Sequence, residues 1–136
     1  MGKILLGFDP DTGPAEQIAE VEALAPDMEI VVTRDPRKID EILDEVEIAA
    51  GWLRPERLVR ARNLRWLQQW GAGADWLMEH PEVAERDFVL TNASGVHAIP
   101  ISEHILAFLF AFARGLHRAV RAGAPRVELS RTGGRV

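Results

Sequence analysis

The chain has 136 residues, 21 acidic against 16 basic side chains, a net charge of −5, and no cysteine. That length fits one domain with a core of its own. The absence of cysteine excludes thiol catalysis and cysteine-ligated metal, and the negative balance argues against a nucleic-acid backbone as partner.

Lys3 to Phe8 is a short apolar run ended by Asp9-Pro10-Asp11, which predicts a buried first strand and a loop. Thr12-Gly13-Pro14 opens a helix with Ile18, Val21, Leu24 and Ala25 on its inner face and Glu16, Glu20 and Glu22 toward water, stopped by Pro26-Asp27. Met28 to Thr33 is β-branched and predicts a second strand. Asp35-Pro36 caps a helix to Asp44, buried through Ile39, Ile42 and Leu43. Val46 to Gly51 is the third strand, with Trp52 and Leu53 at its carboxyl end. Pro55 opens a short helix ending near Asn63, with Leu58, Val59 and Ala61 inward. Leu64 to Trp70 is the fourth strand, and short helical turns are expected at Asp75–Met78 and Pro81–Glu85. Phe88 to Asn92 is the fifth strand. Ala93 to Ile99 is a loop, and Pro100 begins the longest helix, to about Arg121.

Five strands separated mostly by helices predict an α/β fold, a flavodoxin-like doubly wound parallel sheet of order 2-1-3-4-5. Ligands in such sheets sit at the carboxyl ends of the strands. That edge collects Asp9, Trp52, Leu53, Gly71 to Ala74, and Ser94. In Gln68-Gln69-Trp70-Gly71-Ala72-Gly73-Ala74-Asp75 an apolar strand enters a turn with two glycines. Such a turn can aim consecutive backbone N–H groups at one point, with only hydrogen or methyl side chains nearby, and so cradle a small anion. A tight strand-to-helix connection, with glycines for steric reasons alone, fits the same spacing.

Other chemical groups carry less. Asp9 and Asp11 read as turn residues. A phospho-receiver pocket needs an aspartate after the third strand and a lysine after the fifth, where Ala50-Gly51 and Asn92-Ala93 stand. No His/Asp/Glu cluster has zinc spacing, and Ser94-Gly95 lacks the nucleophile-elbow pattern. His80 and His117 read as a solvated turn residue and a helix-end residue, while His97 lies at the ligand edge. Glu103 and His104 are adjacent in a helix and so do not face one another as a dyad.

Two blocks carry a resemblance: Leu64-Arg65-Trp66-Leu67-Gln68-Gln69-Trp70-Gly71-Ala72-Gly73-Ala74-Asp75, and Leu90-Thr91-Asn92-Ala93-Ser94-Gly95 followed by Ile101-Ser102-Glu103-His104. Over residues 3 to 121 the chain resembles the N-terminal substrate domain of NAD(P)-dependent D-isomer-specific 2-hydroxyacid dehydrogenases, nearest the glyoxylate/hydroxypyruvate reductase and phosphoglycerate dehydrogenase-related group. The resemblance implies that the amides of Ala72, Gly73 and Ala74 take the carboxylate of a 2-oxo or 2-hydroxy acid, and that Trp52 and Leu53 line its pocket. It implies NAD(P) in the family, on a later domain with a Gly-x-Gly-x-x-Gly turn; this sequence carries no such turn. The reading is therefore a substrate-binding domain at 1–121, with no catalytic, cofactor or metal residue, and a tail at 122–136 that departs from the family and is expected to be disordered. The apolar helix 100–121 is expected to form a homo-oligomer, and a cytoplasmic protein with no membrane partner is expected. The alternative is a non-enzymatic interaction module using that helix.

Overall fold

A computed structural model describes residues 1–123. They form two compact units, Met1–Val96 and a helical unit that begins at His97. The predicted tail falls outside the described residues from 124 onward.

In the first unit the elements are β1 (Lys3–Leu6), α1 (Ala15–Leu24), β2 (Glu29–Val32), α2 (Pro36–Ile42), β3 (Val46–Ala50), α3 (Pro55–Arg60), β4 (Trp66–Gln68), α4 (Pro81–Ala84) and β5 (Val89–Thr91). Short 3-10 turns stand at Leu43–Glu45 and Asp75–Met78. The sheet has five strands, all parallel, in the order β2-β1-β3-β4-β5. The doubly wound arrangement predicted from the alternation of apolar runs is thus the one observed. The strands are shorter than their apolar runs: β4 occupies three residues of the seven from Leu64 to Trp70, because pairing ends where the chain turns into the loops that carry the site.

Right-handed crossovers distribute the helices. The step from β1 to β2 runs one way across the sheet, and the steps β2 to β3, β3 to β4 and β4 to β5 run the other. Within this unit one face therefore receives α2, α3 and α4, and the opposite face receives α1. The core lies on the three-helix side: Leu5, Ala49 and Leu67 from the strands meet Ile39, Leu43, Leu58, Ala61 and Val83. Leu58 and Val83 are fully enclosed, and each such side chain contributes about 1.5–3 kcal/mol relative to exposure. Two residues expected inside are not: Leu24, at the end of α1, and Val59, on the outer side of α3, are exposed. Both lie at the flank of a short amphipathic helix, where the apolar stripe runs past the last neighbour available to cover it.

Asp35 caps α2 by accepting from the Arg37 N–H at 2.9 Å, and Pro36 fills the first helical position. Arg57 of α3 then grips Asp40 of α2 with both ends of its fork, Nε at 3.0 Å and Nη2 at 2.8 Å, while Nη2 also donates to the Pro36 carbonyl. The Arg57 hydrogen bonds hold the Asp40 carboxyl below its ordinary 3.8, aided by attraction to Arg57 and Arg60 and opposed by desolvation. A folded-state value below the unfolded one gives stability that is present above the unfolded value and lost as pH falls through the folded one. Asp40→Asn is thus expected to melt earlier than the parent at neutral pH and to converge with it in acid below 3.8, as thermal melts across pH would read.

In the second unit, one helix predicted from Pro100 to Arg121 is instead two, α5 (Ala98–Ala113) and α6 (Leu116–Ala122), bent by 65°. Gly115 sits at φ +68°, and its N–H and that of Arg114 return to the carbonyls of Phe112 and Phe110. This left-handed glycine closes α5 in the manner of a helix C-cap. Neither helix buries a residue: Ile105, Phe108, Leu109, Phe112 and Leu116 are all exposed. No single helix among the described residues is long and apolar enough to cross a membrane.

Candidate functional site

The carboxyl ends of β1 and β3 meet where the chain's direction across the sheet reverses. Gly7 and Gly51 let the two strands come together there. The Gly7 N–H donates to the Ala50 carbonyl at 2.7 Å, and the Gly51 N–H to the Gln68 carbonyl at 2.9 Å. Gly51 has φ +135°, a conformation that side chains oppose. A Cβ at that position would stand 3.1 Å from both the Gly7 Cα and the Trp70 Nε1.

Beside this junction lies a cavity of about 270 Å³. Leu5, Ile39, Ala49 and Leu53 supply apolar lining, and Trp52, Trp70 and Arg34 add two aromatic rings and a cation. Trp70 is held by Phe8, ring centroids 5.0 Å apart, and Trp52 packs edge-on to Trp76 at 5.7 Å. Arg34 is positioned by its Nε, which donates to the Gly7 carbonyl at 2.9 Å.

The glycine turn beyond β4 has an asymmetric hydrogen-bond pattern. Its carbonyls are occupied. Gly71 O accepts from the Ala93 N–H at 3.1 Å and from Gln69 Nε2 at 3.2 Å. Ala72 O accepts from Ser94 Oγ at 3.1 Å, Gly73 O from Gln69 Nε2 at 2.5 Å, and Ala74 O from the Leu77 N–H at 3.1 Å. Among the described residues, no acceptor meets the N–H groups of Ala72, Gly73 or Ala74. Ala72 and Gly73 are exposed and Ala74 is half-buried. The donors of the turn are therefore left to solvent or a ligand, while its acceptors tie it to the protein.

Gln69 is the organiser of this turn. It is buried, its Nε2 bridges two loop carbonyls, and its Oε1 accepts from Trp76 Nε1 at 2.7 Å. Behind it, Thr91 Oγ1 accepts from Trp66 Nε1 at 2.7 Å and donates to Gln68 Oε1 at 2.6 Å. Neither Gly71 nor Gly73 has positive φ. The glycine at 73 answers to space instead: a Cβ there would lie 2.7 Å from Asp75 Oδ1. A carboxylate therefore stands beside the free amides, and its charge opposes an anionic ligand.

The five residues singled out from the sequence divide between two places. Trp52 and Leu53 line the cavity, Trp52 largely exposed and Leu53 part of the core. Ala72, Gly73 and Ala74 form the turn and do not line the cavity. Trp52 connects the two, since Trp76, on which it packs, is hydrogen-bonded to the Gln69 that orders the turn. Gln69, Trp70 and Arg34 were not visible as site residues from spacing. The signal for Gln69 was an amide at an inward position just before the glycines. Asp9 caps its own turn, accepting from the Asp11 N–H at 3.0 Å. His97 and Glu103 are exposed at the start of α5, and the His104 ring packs on Phe108 at 4.7 Å. Among the described residues no group of three or more His, Asp or Glu side chains is placed to hold a metal ion.

Compared with known proteins, the chain matches no family model, no curated protein and no solved structure.

Proposed function

We propose that the first unit binds a small carboxylic acid at the carboxyl edge of its sheet, as the substrate domain of a D-2-hydroxyacid dehydrogenase-type protein. The observation that carries this reading is the turn at Ala72–Ala74, whose carbonyls are engaged and whose amides are not. Each amide hydrogen bond to a carboxylate contributes about 1.5–3 kcal/mol before ordering costs. Two or three of them in an open turn correspond to a dissociation constant on the order of 1 mM. The acid's carboxylate takes the turn, and its carbon chain takes the apolar wall at Trp52 and Leu53. In that family the acid is a 2-oxo or 2-hydroxy acid and the reaction is NAD(P)-linked hydride transfer. The sequence has no Gly-x-Gly-x-x-Gly dinucleotide turn, so the activity proposed for this chain by itself is binding.

Titration of the ¹⁵N-labelled protein with pyruvate or glyoxylate is expected to shift the amides of Ala72, Gly73 and Ala74 together. Gly73→Val is expected to abolish the shifts. Asp75→Asn removes a neighbouring like charge worth about 1 kcal/mol across a few ångströms of water, and is expected to tighten binding several-fold. Amides that stay still at ~10 mM acid, ten times the expected constant, would refute the reading. If Arg34→Ala abolishes binding and Gly73→Val does not, the acid sits in the cavity.

A second reading is supported by a different observation. The exposed apolar surface of α5 suits a protein-interaction module, and this reading requires no ligand at the turn.

A further inference from the structure

The cavity at the β1–β3 junction holds donors that the first unit itself does not use. Thr33, just after β2, lines it and is 3% exposed. Its Oγ1 accepts from the Asp35 N–H at 3.0 Å, and among the described residues no acceptor meets its O–H. Arg34 also lines the cavity. Its Nε bond to the Gly7 carbonyl fixes the guanidinium there, and none of the ion pairs among the described residues includes it. The Trp70 Nε1–H, 3.1 Å from where a Gly51 Cβ would stand, meets no acceptor among the described residues, whereas the indole N–H groups of Trp66 and Trp76 are both bonded. Buried donors without an acceptor are rare in folded proteins because they are costly, so a partner is expected for Thr33.

These groups select the charge and the shape of a ligand. All are donors, one is a full cation, and no Asp or Glu lines the cavity, although residues 1–96 carry 19 acidic side chains against 10 basic ones. At the glycine turn, by contrast, Asp75 stands beside the amides. A carboxylate fits the donor set, being acceptor-only and matched to the guanidinium fork. The floor of the cavity is of another kind: Leu5, Ile39, Ala49 and Leu53 are apolar and buried. A bare inorganic anion would leave that floor wet, whereas an apolar body gains by covering it. At ~30 Å³ for each water-sized group, the 270 Å³ of the cavity holds about nine non-hydrogen atoms. Glyoxylate and pyruvate are smaller than that, and benzoate matches it.

We propose that this cavity is a second binding site of the first unit, for a monocarboxylate with a compact apolar body of the size of benzoate. The carboxylate takes the Nη groups of Arg34 and the Thr33 hydroxyl, and the body covers Leu5, Ile39 and Leu53. The cavity lies where the strand order reverses, the place at which open α/β sheets take their ligands. The site shares Trp52 and Leu53 with the one proposed for a small acid at the turn, but none of its donors, so the two readings stand or fall separately.

Titration of the ¹⁵N-labelled protein with sodium benzoate tests this. A dissociation constant on the order of 1 mM is expected. The largest shifts should fall on the Trp70 indole N–H and the amides of Thr33 and Arg34, with those of Ala72, Gly73 and Ala74 nearly still. Arg34→Ala is expected to weaken binding ~10-fold or more, and Arg34→Lys, which keeps the charge and loses the fork, by less. Arg34 is exposed, so both variants keep the fold, which the remaining indole signals report. Thr33→Val keeps the shape, removes the hydroxyl and should weaken binding ~5-fold. Inorganic phosphate is expected to bind at least ~10-fold more weakly than benzoate, for want of a body to cover the floor. No shift at ~10 mM benzoate, ten times the expected constant, would overturn the proposal. So would shifts centred on Ala72–Ala74, an Arg34→Ala that binds as the parent does, or phosphate that binds as tightly as benzoate. Nuclear Overhauser contacts from Thr33 to residues beyond Val96 in the free protein would overturn it too, since the chain's own helices would then fill the cavity.

Discussion

Gln69→Leu is expected to lower stability by about 2–4 kcal/mol, and to do so by releasing the glycine turn. The side chain is buried, so no water replaces what it gives up. Two groups lose their partner at once, Trp76 Nε1 its acceptor at 2.7 Å and the Gly73 carbonyl its Nε2 donor, while the Gly71 carbonyl loses that donor and keeps the Ala93 N–H. A buried polar group left unpaired costs about 1–3 kcal/mol. The Trp76 indole, half-buried against the core, bears most of that, while the loop carbonyls recover part of theirs from solvent. Leucine matches the volume closely enough that packing alone predicts little change, so the loss reports the hydrogen bonds. For a domain of this size about 2–4 kcal/mol corresponds to a melting-point fall of roughly 10 °C. Gln69→Glu separates the two ends of the amide. It keeps an acceptor for Trp76 but sets a carboxylate against two carbonyls, and should be worse than leucine. If thermal melts place Gln69→Leu within about 2 °C of the parent, well short of one kcal/mol, then the turn is held by Ser94, Ala93 and Leu77 and Gln69 is incidental.

That network also marks where reading the sequence stops. The strand order was legible because each apolar run is short, ends in a turn signal and alternates with a helix, which leaves few right-handed windings. Strand ends were less legible: Trp70 continues the apolar run of β4, yet its ring leaves the ladder for Phe8 and the cavity. Periodicity names the apolar face of an element without saying whether a neighbour exists to cover it. Leu24 and Val59 were expected inside for that reason, and Trp66 and Val89 show the same gap on a strand. The break at Gly115 was hidden by the apolar residues on both sides of it, because one glycine in a helical pattern is compatible with continuation as well as termination.

For the candidate site, the glycine turn and the end of β3 were legible as positions. Their supports were not. Arg34 acts through a contact between strand ends distant in sequence, at the Gly7 carbonyl, whereas the side-chain partners of Gln69 lie within seven residues of it, and spacing alone does not pair them. The glycines themselves were legible for a partly different reason from the one that operates. The spacing suggested glycines that clear room for a ligand, whereas the Cβ space at Gly73 is taken by Asp75, and the positive-φ glycines at this edge are Gly51, at the junction of β1 and β3, and Gly95, after β5.

Gly51→Ala is accordingly expected to be the costliest small substitution in the first unit, at roughly 3–5 kcal/mol. Two terms contribute. A non-glycine residue held at φ +135° costs on the order of 1–3 kcal/mol in backbone strain. The added methyl also stands 3.1 Å from the Gly7 Cα and from Trp70 Nε1, and overpacking of this kind costs about 1–3 kcal/mol. The backbone at the end of β1 cannot retreat easily, because the Gly7 N–H donates to the Ala50 carbonyl and the Gly7 carbonyl accepts from Arg34 Nε. Trp70 must then give way, which narrows the cavity and loosens its contact with Phe8. Two further alanine variants divide the sum. Gly95 has φ +89° and nothing within 4 Å of a new Cβ, so Gly95→Ala reads strain alone. At Gly7 φ is not left-handed and the new Cβ meets the Ala50 carbonyl at 3.1 Å, so Gly7→Ala reads crowding alone. Urea unfolding of the three should place Gly51→Ala near the total of the other two. A Gly51→Ala no worse than Gly95→Ala would mean that Trp70 moves aside freely, and a wall that moves freely cannot define the shape of an acid's binding site.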